Sequence, residues 1–154
     1  MQPPLIAMKS AHRLFAASVA ALLIAAAARA ADWTEDYSAG LARAKKEHKL
    51  LVLDFTGSDW CIWCKRTDKE VFSTEKFKDY ADKNLVLVKV DFPRAVAQTD
   101  EVKAQNARLQ EKYGVEGFPT LIVLDEGENV VAKQVGYAEG GADAFIAQLP
   151  KPAS

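Results

Sequence analysis

Beyond residue 30 the chain has no methionine, a single histidine (His48) and only two cysteines, Cys61 and Cys64. Each shortage excludes something. A structural zinc site takes four ligands, chiefly Cys and His, and two cysteines with one distant histidine do not supply them, so no metal ligands are assigned. Small exported domains held together by disulfides use several pairs. Here one intramolecular pair is available, separated by three positions. So short a loop removes little entropy from the unfolded chain, which makes the pair a weak staple. Cu(I) held by the two thiolates stays open, because soft thiolates alone can bind it.

A run long enough to span a bilayer is also missing. The longest apolar stretch, Leu14 to Ala28, falls short of the roughly 20 residues required. It lies in "MKSAHRLFAASVAALLIAAAARA", Met8 to Ala30, which has the parts of a secretory signal: basic Lys9 and Arg13, the apolar run, and Ala28-Arg29-Ala30 as a cleavage site. Met8 is a candidate initiator. No cysteine stands at the cleavage point to carry a lipid anchor, and an uncleaved anchor is the competing reading. The expectation is a signal peptide over 1–30 and a single domain over 31–154, periplasmic or secreted, with no stable membrane insertion. Residues 1–30 carry three basic and no acidic side chains, so 17 basic and 21 acidic ones remain, a net charge of −4. That balance argues against a nucleic-acid surface or a patch for anionic lipid. With 49% apolar residues, the core can come from ordinary burial.

What is present reads as alternating elements. "DWTEDYSAGLARAKKEHK" has helical spacing, with Trp33, Tyr37, Leu41 and Ala44 on one face. "LLVLDF" (50–55) and "LVLVKVDF" (85–92) are short apolar runs typical of buried strands. Between them lie the loop "TGSD", a helix from Cys61 through "CKRTDKEVF", and a short helix with Phe77 and Tyr80 on one face. "DEVKAQNARLQEKYG" is a helix capped by Gly114. "TLIVLD" and the strand in "NVVAKQV" form a hairpin through a Gly-containing turn. "GADAFIAQL" closes as a helix. This order predicts an α/β fold with a central mixed sheet of about four strands and helices on both faces.

Cys61 falls just after a strand and loop, at the first turn of a helix. Free backbone N–H groups and the helix dipole there favour a thiolate, the form that acts as a nucleophile. Cys64 follows on the same helical face, where β-carbons come within about 5–6 Å. That spacing suits a disulfide. Cys61 is therefore the candidate attacking sulfur and Cys64 the resolving one in thiol–disulfide exchange.

Two segments together carry a family resemblance. "LVLDFTGSDWCIWCK" and "YGVEGFPTLIVLD" resemble the strand, active-site helix start and second signature of the thioredoxin superfamily, more closely its exported thiol:disulfide interchange domains. The likeness runs from about Lys49 to Leu149. It implies a thioredoxin-like fold and an oxidoreductase acting on protein thiols and disulfides, needing no cofactor beyond a redox-active Cys61–Cys64 disulfide. It implies that Pro119 is a cis-proline beside the sulfurs that leaves backbone free for an extended substrate. Trp60, Trp63 and Phe118 join Pro119 as candidate substrate contacts. Asp54 takes the place of a buried acid that carries a proton for Cys64. An exported protein of this kind needs a membrane or exported thiol partner to supply electrons.

Blander readings stand beside these: Pro119 as a trans proline opening a strand, Asp54 bonded to backbone, Trp60 as packing, Trp63 packed on the next helix, Asp59 and Lys65 as solvated charges. Three departures bear on the resemblance. The loop "TGSDW" is one residue longer than in common thioredoxins. Arg94 to Asp100 extend a connection and form a candidate rim or docking surface. Ile62-Trp63 replaces the familiar Gly-Pro or X-His pairs, and with no histidine near the thiols a reductase or isomerase direction is favoured. The alternative outside catalysis is a binding module whose thiols hold Cu(I) or a partner.

Overall fold

Why β2 becomes the centre of the molecule follows from its composition. Leu50–Thr56 (β2) holds seven residues, all of them buried, so both faces of the strand are covered. The computed structural model describes residues 32–150, and the expected signal segment and the last four residues lie outside them. β2 pairs in parallel with β3 (Leu85–Asp91) and antiparallel with β4 (Thr120–Leu124), which pairs antiparallel with β5 (Val130–Val135). A two-residue strand, β1 (Trp33–Thr34), adds to the far side of β3, giving the order β1-β3-β2-β4-β5. The mixed sheet is as expected, with five strands in place of about four.

The additional strand comes from the segment read as the start of the first helix. Helix α1 begins only at Tyr37 and runs to Glu47, because Asp36 caps it by accepting the Ala39 N–H. Upstream of that cap, Trp33 and Thr34 pair with Leu87 and Val88. The remaining helices are α2 (Ile62–Thr67), α3 (Glu75–Asn84), α4 (Asp100–Lys112) and α5 (Gly141–Ala147).

Strand alternation then sorts the core into two layers. Leu50 and Val52 enter one with Leu85, Leu87, Val71, Phe72, Phe77 and Phe145, under α2, α3 and α5. Leu51, Leu53 and Phe55 enter the other with Val86, Val88, Val90, Ala44 and Leu109, under α1 and α4. Helices therefore cover both faces. By the same alternation Asp54 points into the α2 layer, as does Lys89, its neighbour in register on β3.

The helix expected from Cys61 to Phe72 is continuous but not uniform. After Thr67 it widens into a π-helical turn, Asp68–Phe72, closed by the Ser73 N–H donating to the Asp68 carbonyl. Such turns insert a residue without ending the helix. Here it lets Val71 and Phe72 enter the core while Asp68 stays at the surface. Phe72 meets the rings of Trp33, Phe77 and Phe145 at 5.0, 5.1 and 6.2 Å, tying the cysteine-bearing helix to three other elements. Phe72→Ala should lower the unfolding free energy by about 3–5 kcal/mol, read as a lower urea midpoint at constant slope. A loss under about 1 kcal/mol would show that this cluster does not anchor the helix.

Candidate active site

The site is assembled where β2 ends. Gly57 follows the strand, and its carbonyl accepts the N–H groups of Trp60 (3.2 Å) and Cys61 (2.8 Å), turning the chain back into α2. The Trp60 indole lies so close over Gly57 that a Cβ there would sit 2.4 Å from the ring. Only glycine fits this seat. Cys61 is then the N-cap of α2, its Sγ accepting the Cys64 N–H at 3.1 Å. The two sulfurs are bonded to each other, with Cα atoms 5.2 Å apart. Both residues are nearly covered, Cys61 at 6% and Cys64 at 5% exposure, whereas Ile62 between them is 74% exposed.

Behind the disulfide lies a cavity of ≈ 180 Å³ lined by Asp54, Thr56, Ser58, Cys64, Lys65, Asp68 and Lys89. Asp54 is buried, and among the described residues burial and neighbouring charges, not a hydrogen bond to backbone, act on its carboxyl. Burial pushes its pKa up to about 7, against the pull of Lys89, with Asp68 and Asp91 adding to the rise. The carboxyl that shares a cavity with Cys64 is thus poised to gain or lose a proton near neutrality.

The four candidate substrate contacts divide into two groups. Trp60 meets Phe118 edge-on at 6.0 Å, and Phe118 stacks on Phe92 at 5.0 Å. Pro119 follows Phe118 through a cis peptide bond, is buried, and accepts the Gly136 N–H on its carbonyl. Trp63 makes a different contact. It stacks on Tyr137 at 5.6 Å, in the loop after β5, and not on the helix that follows. Arg66 lies over Tyr137 and pairs with Glu70, which accepts the Tyr137 hydroxyl.

Asp59 corrects the expectation of a solvated charge. Its carboxylate accepts the backbone N–H of Arg94 (3.1 and 3.0 Å) and of Ala95 (2.6 Å), which holds its pKa below the usual carboxylate value. Lys65 likewise donates to the Asp59 carbonyl at 2.9 Å. The segment after β3 is thereby fastened beside Trp60, whose indole N–H donates to the Phe92 carbonyl. Asp59 and Arg94 are 35 positions apart, and no local pattern joins them. Lys89 and Asp68 also escaped the sequence reading. Strand parity with Asp54 could have found the first, and the four-residue step from Cys64 the second.

With this geometry the chain belongs to the thioredoxin-like family: the model of the thioredoxin-like domain matches residues 37–151. It is 36% identical to the disulfide bond reductase DsbH of Chlamydia pneumoniae over 116 residues, 75% of this chain and 69% of that protein. The thioredoxin-related protein DsbJ of Chlamydia pneumoniae is 30% identical over 99 residues, 64% of this chain but 28% of DsbJ. Among solved structures, a DsbH oxidoreductase aligns with a TM-score of 0.72 at 34% identity, covering 78% of this chain and 82% of the other.

The raised Asp54 carboxyl has a cost that can be measured. Between the ordinary carboxylate pKa near 4 and about 7, the unfolded chain releases a proton that the folded chain keeps. Folding stability therefore falls across that window and levels off above it. Asp54→Asn removes this loss. It should be more stable than the parent by about 2–4 kcal/mol at pH 8, with the two converging near pH 4. Parallel urea-unfolding curves at constant advantage would mean that Asp54 does not titrate in this window.

Proposed function

We propose that this chain is an exported thiol-disulfide oxidoreductase acting on protein disulfides, working in the reductase or isomerase direction. The observation that carries the reading is the Cys61–Cys64 disulfide at a helix start, with Asp54 on the cavity behind Cys64. A disulfide held only for stability needs neither a helix N-terminus nor a titratable acid behind it.

In the reduced protein Cys61 is the nucleophile. The Cys64 N–H that now donates to its sulfur, with the other free N–H groups of the first turn, stabilises a thiolate there. The thiolate attacks a substrate disulfide. A bond forms between Cys61 and one substrate sulfur, and the other leaves as a thiolate that takes a proton. Cys64 then gives its proton to the Asp54 carboxylate and attacks the Cys61 sulfur. The internal disulfide forms as the second substrate thiolate departs. Two electrons pass from the chain to the substrate, and a partner dithiol restores the pair by running the same steps backwards.

The cover on the disulfide supports polypeptide substrates. Trp60, Ile62 and Trp63 are all exposed around the two covered sulfurs, an apolar surface on which an extended segment can lie. The direction is supported by the relative whose name reads disulfide bond reductase, and by the lack of a histidine beside the thiols. In the exported location, with residues 1–30 as signal and 31–154 as the working domain, the electron donor is a membrane or exported thiol protein. No helix among the described residues is long and apolar enough to cross a membrane.

Trapping tests this reading. Cys64→Ser leaves the attacking sulfur but removes the resolving one, so it should accumulate mixed disulfides with exported proteins through Cys61, visible on non-reducing gels. Cys61→Ser should form none. If Cys64→Ser forms none either, and the parent binds Cu(I) tightly through both thiols, the binding-module reading takes its place.

A further inference from the structure

The extended connection after β3 brings to the site a cation that has no salt bridge among the described residues. Phe92 to Ala95 are held by Asp59 and Trp60, and the Arg94 guanidinium carbon lies over the Trp60 ring, 3.8 Å from its centroid. A stacked guanidinium keeps its N–H donors pointing outward in its own plane. Asp59 does not pair with the guanidinium directly: its carboxylate accepts instead from the backbone N–H groups of Arg94 and Ala95. Lys65, on the other side of Asp59, spends a donor on a carbonyl. Among the described residues neither Arg94 nor Lys65 has an ion pair.

The Trp63 side is built differently. There Arg66 also stacks on an aromatic ring, but Glu70 neutralises it at 2.9 Å. The chain beyond residue 30 is net acidic, so two cations without a salt-bridge partner among the described residues, one over Trp60 and one next to Cys64, run against the overall balance. Val96, 63% exposed, follows Arg94 on the rim, and Ile62 stands nearby on α2.

We infer that Arg94, on its Trp60 platform, receives a carboxylate of the polypeptide substrate, so that the chain favours disulfides flanked by an acidic side chain. The inference rests on the oxidoreductase reading above and names the substrate class within it. Arg94 determines specificity. Asp59 is a positioning residue, acting by holding Arg94 in place. The exchange itself is unchanged: two electrons pass from the Cys61/Cys64 dithiol to the peptide disulfide, which leaves as two thiols.

The test uses the full chain in reduced form and three peptides with one internal disulfide, differing only in Glu, Gln or Lys beside a half-cystine. Bis(2-hydroxyethyl) disulfide, which is small and uncharged, reports the chemistry without docking. The expected order of kcat/KM is Glu above Gln above Lys, each step roughly threefold, the scale of one partly exposed ion pair, shrinking in high salt. Arg94→Gln should erase the order and Arg94→Glu reverse it, each rate being taken relative to the same variant's rate on the uncharged disulfide. Asp59→Asn should weaken the order in the same way. Equal rates for the three peptides in the parent overturn the inference. So does an Arg94→Gln variant slowed equally on the uncharged disulfide and the Glu peptide, since Arg94 would then act on the Cys61 sulfur. Failure of the parent to reduce even the uncharged disulfide defeats the oxidoreductase reading instead.

Discussion

A carboxylic acid sits at the fifth position of a strand buried on both faces, and the site depends on that placement. Strand alternation sends Asp54 into the layer that carries the cysteine helix, and burial makes its ionised form costly. The cavity shared with Cys64 is where such an acid can exchange a proton with the sulfur chemistry. Lys89 on the adjacent strand and Asp68 on the π turn act on it with opposite sign, and both line the same cavity. The core that gives the molecule its fold is thus also what tunes the acid. Stability is given up at one position to keep a carboxyl that titrates near neutral pH.

The disulfide is positioned by a second set of constraints. Gly57 turns the chain out of β2, seats Trp60 and hands Cys61 to the helix start. Phe72 holds the far end of that helix against the core. Between these two anchors the sulfurs are covered from most directions, while Ile62 and Trp63 project outward. The flanks differ in kind: Arg66 is paired with Glu70, and Arg94, over Trp60, has no salt bridge among the described residues.

Much of this was legible in the sequence because the signals are local. Apolar runs of five to seven residues gave β2, β3 and β4, and helical spacing gave the helices that cover them. The two cysteines and the Gly117-Phe118-Pro119-Thr120 stretch led to the family, and the family led to Asp54. Trp33 and Thr34 were misread as helix because their apolar spacing matches a helical face, while the Asp36 cap that starts the helix two residues later is a single side-chain bond. The π turn was invisible, since nothing in "RTDKEVF" distinguishes it from ordinary helix. Asp59 looked like a solvated charge because its partners are backbone groups 35 positions away, and backbone groups leave no trace in residue identity. The stacking of Trp63 on Tyr137 was hidden by a longer separation still in sequence.

The central claim is that the Cys61–Cys64 bond is made to be broken and remade. Its equilibrium with glutathione buffers, read by thiol alkylation, tests this most directly. A pair used for exchange gives one reversible two-electron transition between roughly −270 and −180 mV, the span from thioredoxin to protein disulfide isomerase. A potential below about −300 mV, the range of structural disulfides, would contradict it.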